Sequence, residues 1–590
     1  MTSTRSFSVP IVSAFCLIAA LAFVHVPLAV AQTPAGAAPA FSQIIIFGDS
    51  LSDVGNLRRQ MEARGLRYPG GEYNYSDGRF TNSSDTNPGS ARYVGVWHEQ
   101  LSRTFLGRSA ETASVHGGNV FAFGGATTED GTQGYTVAGV FGFNVTVTID
   151  NMGKQVDDYI TRRPMDPNAL FIIWGGGNDL FDSHSESNVN AASARVAMLV
   201  SRLADAGARH FLVPNVPPLG GVPRYNGDRP AQDAKNRASL DYRAKLEANL
   251  DATESAYATQ GIQLNLYRLD IWTGFVRFAA DPARYGIRYL SNTGRGGEGS
   301  PDDYLFWDDI HPTTAGHYQI ARAARDVLSG QAMAPARAVN LSTRVTVSSG
   351  ENVAIAGLIV RGSEPKRVIL RGIGPSLTAR GVPGALQDPR LELFDEGQNA
   401  LAANDSWRDA QAVEIIATGV PPQDDREAAI VYTLQPGSYT VVMSGNNTSG
   451  VGLVEVYDLE AGADSALANL STRGRVGIGD DVMIGGVIVE SGGDPVLVVR
   501  ALGPSLASAG IADPLLDPML EFYDSNGMQI GMNDDWALGQ AVAARATLLA
   551  PTDDREAALT LSAAPGAYTV VVRGKNNTTG VALVEVFRLP

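Results

Sequence analysis

Cysteine is almost absent from this chain of 590 residues: the single one, Cys16, lies in the first apolar segment. Once that segment is removed, the remaining chain contains no thiol, which excludes disulfides, thiol catalysis and cysteine-bound metals. Long apolar runs are also lacking. The one candidate membrane span, Val9–Val24, is short and poorly flanked for that role.

The first 31 residues instead have the organisation of a secretory signal peptide. Arg5 supplies the positive charge, the apolar segment follows, and Ala29-Val30-Ala31 matches the small-x-small cleavage pattern. We therefore expect a mature chain that begins at Gln32 and an exported protein, either secreted, at the cell surface or periplasmic. An uncleaved anchor is the alternative interpretation of the same segment.

Positive charge is scarce as well. The chain has 46 Lys and Arg against 62 Asp and Glu, a net charge of −16, and no basic run. This balance argues against a nucleic-acid partner and against binding to anionic lipid. The serine-hydrolase signature Gly-x-Ser-x-Gly does not occur either, which weakens an assignment to the α/β-hydrolase fold.

Residues 41–328 alternate strand and helix, a pattern that predicts a parallel sheet covered by helices on both faces. The residues between the second and third strands, Thr127–Gln155, form an insertion that is either an apolar substrate loop or a hairpin. The predicted strands are Gln43–Phe47, Asn119–Phe123, Leu170–Trp174, His210–Val213 and Ile262–Tyr267, and the clearest helices cover residues 196–203, 231–260 and 313–328.

After a linker at residues 329–337, the chain contains an internal duplication. Asn340-Leu341-Ser342-Thr343-Arg344 recurs 129 positions later as Asn469-Leu470-Ser471-Thr472-Arg473, and the string DDREAA occurs twice at the same offset. Helical periodicity gives way to short Val-rich segments with Gly, Asn and Asp. We predict two all-β sandwich-like domains, residues 338–462 and 463–590, because each unit is long enough to bury a core of its own.

The role of these repeats is open at this stage. They contain no evident catalytic set, so binding to the cell envelope or to glycan is one hypothesis and a spacer is the other. Asn404-Asp405-Ser406-Trp407 recurs as Asn533-Asp534-Asp535-Trp536. Such a cluster either binds calcium through oxygen ligands or caps a turn, and the lack of a complete calcium-loop pattern favours the cap.

The stretch Ile44–Asn56 organises the first half of the chain. Its apolar β-branched run predicts a buried strand that ends at Gly48, so Ser50 stands where a strand passes into a helix. Alone, Ser50 is either a helix cap or a hydroxyl at the carboxyl edge of the sheet, where open α/β sheets bind ligands.

Three later motifs favour the second interpretation, in which the Ser50 hydroxyl lies at the ligand-binding edge of the sheet. In chain order the four motifs are Gly48-Asp49-Ser50-Leu51, Phe121-Ala122-Phe123-Gly124-Gly125-Ala126, Gly176-Gly177-Asn178-Asp179 and Asp308-Asp309-Ile310-His311-Pro312. Together they resemble the GDSL or SGNH family of serine esterases and lipases over residues 41–328. The resemblance implies a flavodoxin-like three-layer α/β/α domain with a parallel sheet.

Ester hydrolysis needs a nucleophile, a base and donors for a developing oxyanion. Ser50 is the candidate nucleophile, His311 is the candidate base, and Asp308 can orient the imidazole from three residues upstream. Asp309 is the rival acid. The other histidines, His98, His116, His184, His210 and His317, lack such a partner and are expected to be structural or at the surface.

For the oxyanion hole, the resemblance implies the Ser50 backbone N–H, the Gly125 backbone N–H and the Asn178 side-chain amide, with Gly124 the alternative at the second position. Asp49, Asp53 and Asp179 are expected to hold loops by hydrogen bonding. No cofactor and no metal are expected, since every group that this chemistry needs is a side chain or a backbone amide.

The leading hypothesis is therefore an exported carboxylic-ester hydrolase that forms an acyl-enzyme on Ser50 and acts on lipid or short acyl esters. The same site also suits a carbohydrate acetylesterase, or an acyltransferase if an alcohol replaces water. A non-catalytic surface adhesin is the hypothesis from a different class. The intact set of Ser50, Gly125, Asn178, Asp308 and His311 argues against it.

Overall fold

The structure, a computed structural model, describes residues 40–82, 93–138, 143–331, 338–348, 352–460, 465–490, 492–493, 495–539 and 541–589. The expected signal peptide with Cys16 and most of the linker, residues 332–337, lie outside the described residues. No helix among the described residues combines the length and the apolar character that crossing a membrane requires. The described chain forms two compact units, an α/β unit and an all-β unit.

The α/β unit has a parallel sheet at its centre. Its strands in chain order are β1 Ile44–Gly48, β2 Thr132–Ala138, β3 Asn144–Asp150, β4 Leu170–Trp174, β5 His210–Pro214, β6 Asn265–Leu269, β7 Tyr289–Thr293 and β8 Tyr304–Phe306. Its α-helices are α1 Asn56–Glu62, α2 Trp97–Gln100, α3 Met152–Arg162, α4 Gly177–Asp182, α5 Glu186–Asp205, α6 Arg229–Ala258, α7 Ile271–Ala280 and α8 Thr314–Leu328.

The sheet order confirms the predicted flavodoxin-like class. Strands β1, β4, β5 and β6 lie side by side in that order, all parallel. Residues 119–123 run along the free edge of β1, where Ile46 N–H donates to Asn119 O at 2.9 Å and Phe121 N–H donates to Ile46 O at 2.7 Å. Counted in chain order, the five segments have the spatial order 2-1-3-4-5, which places a ligand-binding switch point beside β1 and β4.

The helices follow from apolar spacing and caps. In α5 the residues at helical spacing, Val196, Leu199, Val200 and Leu203, are all buried, and Ser185 caps the helix by accepting the Asn188 N–H. The segments predicted at residues 231–260 and 313–328 are α6 and α8; α6 begins and ends two residues earlier than predicted, and α8 begins one residue later.

The insertion after the second predicted strand is a hairpin. Strands β2 and β3 pair antiparallel, with Tyr135 opposite Val147. The inner face of β3, Val147 and Ile149, is buried against a cluster that includes Phe80 and Phe123. Of the two alternatives for Thr127–Gln155, the hairpin is therefore correct, and it is followed directly by the first turn of α3.

The all-β unit contains eight strands from each repeat within the described residues. The first copy has β9 Ala338–Val347, β10 Ala354–Gly362, β11 Lys366–Ile373, β12 Pro389–Asp395, β13 Ala400–Asn404, β14 Ala428–Leu434, β15 Gly437–Gly445 and β16 Gly450–Asp458. The second has β17 Ser465–Val476, β18 Met483–Val489, β19 Val496–Leu502, β20 Pro518–Tyr523, β21 Gln529–Asn533, β22 Ala557–Ser562, β23 Gly566–Gly574 and β24 Gly580–Arg588. Short helices α9 Ala412–Ala417 and α10 Ala541–Ala546 complete the corresponding loops.

The two copies exchange strand pairings. The first strand of each copy pairs with the last strand of its own copy and with the second strand of the other: β9 with β16 and β18, and β17 with β24 and β10. The registers match, since Leu341 lies opposite Val487 and its equivalent Leu470 lies opposite Leu358. Thr472 Oγ1 bonds the equivalent hydroxyl of Thr343 at 2.9 Å, so a local two-fold axis passes between them.

The all-β class is thus confirmed, but the copies share one continuous core. Its buried side chains come from both repeats, with Leu341, Val345 and Val454 from the first and Leu470 and Val584 from the second. We expected a separate core in each copy; the boundary between residues 462 and 463 divides the repeats in sequence only. The physical reason is that the strand exchange joins the two copies into one sheet system.

The Asn-Asp clusters of the repeats act as turn caps. Asn404 Nδ2 donates to Ser406 O at 3.1 Å, and its Oδ1 accepts the Ala429 N–H at 3.0 Å. The second copy repeats this arrangement through Asn533 and Ala558. Both oxygen and nitrogen of the amide are used to close the turn, which favours the cap over a calcium ligand.

Candidate active site

The four sequence motifs meet at the carboxyl edge of the sheet. Ser50 lies in the turn after β1, and Asn178 lies in the first turn of α4, directly after β4. These strands are neighbours, so their carboxyl ends bring both side chains to one place. His311 comes from the loop between β8 and α8 and completes the group.

A continuous chain of hydrogen bonds joins the predicted nucleophile, base and acid. His311 Nε2 lies 2.9 Å from Ser50 Oγ, and His311 Nδ1 lies 2.8 Å from Asp308 Oδ2. Ser50 and Asp308 are 9% and 2% exposed, so the charge on the acid is shielded from water while the serine stays at the cavity wall. This geometry lets the imidazole take a proton from the hydroxyl while the carboxylate fixes its tautomer.

Asp308, not Asp309, contacts the imidazole. Its Oδ1 accepts the backbone N–H groups of Ile310 at 2.8 Å and His311 at 2.6 Å, which sets the loop around the acid. Burial would raise the pKa of Asp308, but the neighbouring His311 and these hydrogen bonds hold it well below its usual range. Asp309 instead accepts a hydrogen bond from Arg224 Nε at 2.9 Å.

Two aromatic residues that the sequence did not reveal support this pair. The Tyr75 hydroxyl donates to Asp308 Oδ2, and burial together with that carboxylate raises the pKa of Tyr75, so it remains a donor. The Phe80 ring stacks on the His311 ring with centroids 4.8 Å apart. Both lie more than 200 residues upstream of the Asp-His motif, and no spacing rule connects them to it.

The oxyanion side of the site distinguishes the two candidate glycines. Among the described residues, the N–H groups of Ser50 and Gly125 donate to no protein acceptor, whereas the Gly124 N–H donates to Asp53 Oδ2 at 2.8 Å. Gly125 has φ +84° and lines the same cavity as Ser50. Its N–H is therefore the one left for a ligand, as the motif match implied.

Asn178 is the third candidate donor. Its Nδ2 donates one hydrogen to Ala126 O at 2.9 Å, and an amide nitrogen carries two. The bond to Ala126 fixes the plane of the side chain, and the second hydrogen remains for an oxyanion. Side-chain and backbone donors thus come from three separate motifs.

The remaining aspartates of the motifs hold loops, as expected. Asp53 accepts four backbone N–H groups, those of Gly55, Asn56, Leu57 and Gly124. Asp49 accepts the Leu51 N–H at 3.0 Å. Asp179 accepts both the N–H and the hydroxyl of Thr128.

Burial dominates the electrostatics of these carboxyls. It raises the pKa of Asp49 to about 6, against the opposing effect of the Leu51 N–H. It likewise raises the pKa of Asp53 to about 6, although four N–H groups act in the other direction. Burial also raises the pKa of Asp179. Asp308 differs from all three because both the ring and the backbone N–H of His311 are hydrogen-bonded to it.

A further contact fixes the end of the first strand. Gln155 in α3 is buried; its Oε1 accepts the Gly48 N–H and its Nε2 donates to Gly48 O, each at 2.9 Å. The side chain thus pairs with Gly48 as a neighbouring strand would, just before Ser50. None of the other described histidines lines the cavity that contains Ser50. His98 and His317 are buried, which lowers the pKa of each, to about 4 and about 3.

The site opens into a cavity of about 510 Å³. The residues of the candidate site all line it: Ser50, Gly125, Asn178, Asp308 and His311. Apolar side chains form about half of the rest, among them Trp174, Phe181, Val216, Leu219, Val222, Ile271, Phe275, Phe306 and Ile320, and charged or polar side chains also line it, among them Arg224, Asp270, Arg277, Gln319, Arg322 and Asp326. A concave, apolar chamber with a few convergent polar groups is the usual form of a small-molecule site.

The chain is similar to a known family and to several known proteins. The profile of the GDSL-like lipase/acylhydrolase family matches residues 44–324. An uncharacterized protein in the trpE-trpG intergenic region of Pseudomonas putida is 29% identical over 345 residues, covering 52% of this chain and 52% of that protein. Phosphatidylcholine-sterol acyltransferase of Aeromonas hydrophila is 23% identical over 344 residues, covering 50% of this chain and 92% of that protein.

Esterase EstA of Pseudomonas aeruginosa is 29% identical over 358 residues, covering 54% of this chain and 50% of that protein. The chain therefore spans about half the length of two of these three relatives. In each case the matched part is also about half of this chain, which is the share that its α/β unit occupies.

Proposed function

Since residues 44–324 belong to the GDSL-like lipase/acylhydrolase family, a family of ester-bond hydrolases, we propose that this chain is an exported carboxylic-ester hydrolase with Ser50 as its nucleophile. The observation that carries the proposal is the unbroken chain of hydrogen bonds from Ser50 Oγ through His311 to Asp308. Every participant is a residue of the α/β unit.

The reaction has two halves. His311 Nε2 takes the Ser50 proton as Oγ attacks the ester carbonyl, and the oxyanion that forms accepts hydrogen bonds from Ser50 N–H, Gly125 N–H and the Asn178 amide. His311 then gives its proton to the leaving alcohol, which leaves an acyl group on Ser50. Water, deprotonated by His311, attacks this ester and releases the acid and the free enzyme. Asp308 stays ionised throughout and stabilises the imidazolium.

The cavity supports an acyl ester over a sugar acetate. Its apolar walls would bury the chain of a fatty acyl group, and each buried methylene contributes about 0.8 kcal/mol. Sugar hydroxyl groups against Phe275, Val216 and Leu219 would lack partners, so a sugar acetate would have to place them against the polar part of the wall, which includes Asp270, Arg277 and Gln319. Transfer of the acyl group to an alcohol uses the same steps with the alcohol in place of water.

Export and the role of the repeats belong to the proposal as well. The apolar segment and the Ala29-Val30-Ala31 pattern support a cleaved signal peptide. For the all-β unit we propose attachment, to the cell envelope or to glycan, because the sequence of its repeats contains no evident catalytic set. Deletion of residues 338–590 tests this: attachment should be lost while turnover of a soluble ester is retained.

The decisive experiment is a panel of p-nitrophenyl esters from acetate to palmitate. Wild type should hydrolyse them, and Ser50→Ala should lose activity by at least on the order of 10³-fold. Ser52→Ala is the matched control, since Ser52 lies two residues away in the same turn and its hydroxyl accepts a hydrogen bond from Trp97 Nε1 at 3.1 Å. It should retain activity.

Three outcomes separate the hypotheses. Activity that survives in Ser50→Ala would refute the mechanism. A new ester formed when alcohol is added would favour an acyltransferase. Absence of turnover in wild type, together with binding of the full chain to cells or polymer, would favour the non-catalytic adhesin.

A further inference from the structure

Helix α7 presents one face to the cavity. Ile271, Gly274, Phe275 and Phe278 are spaced at i, i+3, i+4 and i+7, which places them on one stripe of the helix, and all four line the cavity that contains Ser50. Three of these positions carry large apolar side chains. The fourth, in the middle of the stripe, carries none.

Glycine is a costly choice at that position. It lowers the stability of a helix interior relative to alanine, because it loses more backbone freedom on folding. Gly274 lies within the helix, with its N–H donating to Asp270 O at 3.1 Å, and its backbone is not in the left-handed region. Nothing in its conformation therefore requires glycine.

Packing does not require glycine either. A Cβ atom placed on Gly274 would meet no other atom within 4 Å. Other glycines of the site differ: at Gly124 a Cβ would lie 2.4 Å from the Phe80 ring, and at Gly176 it would lie 2.6 Å from the Tyr242 ring. The missing side chain at Gly274 leaves open space, and that space belongs to the cavity.

We infer that Gly274 determines the acyl-chain length that the enzyme accepts, by keeping the chamber beside α7 open for the distal methylenes of a fatty acyl ester. The inference rests on the proposed ester hydrolysis and extends it by naming the substrate class, esters of medium to long acyl chains. An acetyl group bonded to Ser50 would not need this part of the cavity.

Gly274→Leu is the test. The added side chain fills the open space and displaces distal methylenes, each of which contributes about fourfold to kcat/KM when buried. The ratio of kcat/KM for p-nitrophenyl palmitate to that for the acetate should fall by on the order of 10- to 100-fold, with the acetate value retained. Gly274→Ala adds one methyl group and should lower the ratio about fourfold.

Ala280→Leu is the control, because it adds bulk to the same helix at its last residue, which does not line the cavity. Its profile should match that of wild type. If leucine at position 274 prevents folding, the alanine variant still tests the inference, and its unfolding temperature should rise by about 2 °C. An unchanged chain-length profile in a folded variant, or an equal loss on acetate and palmitate, would overturn it.

A measurement of binding that needs no turnover distinguishes a failure of this inference from a failure of the proposed function. The affinity for palmitate is measured in Ser50→Ala and in Ser50→Ala combined with Gly274→Leu. Weaker palmitate binding in the double variant supports the chamber even if no ester is hydrolysed, whereas equal binding counts against it. If wild type hydrolyses the esters and Gly274→Leu hydrolyses every acyl-chain length at the same rate, the result supports the ester hydrolase and contradicts the role of Gly274.

Discussion

Replacement of Asn178 by alanine should separate catalysis from stability. The side-chain amide has two hydrogens, one bonded to Ala126 O at 2.9 Å and one free for the oxyanion. Loss of an oxyanion donor costs about 3 kcal/mol in the transition state, roughly 10²–10³ in kcat. Loss of the half-buried bond to Ala126 costs only about 1 kcal/mol of folding free energy.

The assay measures kcat and KM on p-nitrophenyl butyrate together with the unfolding temperature. Because the donor acts on the oxyanion and less on the bound ester, kcat should carry most of the loss and KM should change little. The unfolding temperature should fall by only about 2–4 °C.

Asn188→Ala is a matched control. Asn188 donates to the carbonyls of Asp179 and Ser183, each at 2.7 Å, and does not line the cavity. It should lower the unfolding temperature and leave kcat within about threefold of wild type. If Asn178→Ala itself keeps kcat within that range, Asn178 is not an oxyanion donor and the three-donor arrangement is wrong.

Three more substitutions test the surroundings of the site. Gln155→Leu leaves the buried N–H of Gly48 unpaired and should lower the free energy of unfolding by about 2–4 kcal/mol, measured by urea denaturation. Gly125→Ala places an alanine at φ +84° and its Cβ 2.4 Å from the Tyr135 ring. The kcat should fall at least about tenfold, and adding Tyr135→Ala should restore only part of the lost kcat, because the backbone strain remains. Because burial raises the pKa of Asp49 from 3.8 to about 6, the folded state binds that proton more tightly, and this group's contribution to stability falls by roughly 2 kcal/mol as the pH rises from 4 to 7. Asp49→Asn lacks this titrating group, so its free energy of unfolding relative to wild type should rise by that amount over the same pH range, measured by thermal unfolding at each pH. A difference between the two proteins that stays constant with pH would contradict the raised pKa of Asp49.

Much of the site could be predicted because each motif ends a strand of a parallel sheet, and all such ends meet at one edge. That rule is enough to bring Ser50 and Asn178 together. The choice between Gly124 and Gly125 depends on which N–H the Asp53 carboxylate accepts, a contact across 71 positions that no local pattern encodes. Tyr75 is in the same situation, since its partner Asp308 is 233 residues away.

The strand exchange of the repeats could not be predicted for a different reason. Equivalent strands of the two copies have similar apolar sequences, as in the segments AIAGLIV of β10 and MIGGVIV of β18. Leu341 can therefore face Val487 of the other copy as well as it could face Leu358 of its own. Local sequence gives the same pattern for either partner, so only the assembled sheet distinguishes them.

The two-fold axis at Thr343 and Thr472 has a consequence for how the repeats assemble. The unit is in effect a dimer whose subunits are joined by a covalent tether, because β17 begins at Ser465, shortly after β16 ends at Asp458. A short tether replaces a concentration-dependent association with an intramolecular one, so dilution cannot separate the copies. A single repeat would expose its first two strands as unpaired edges and would depend on a second chain to cover them.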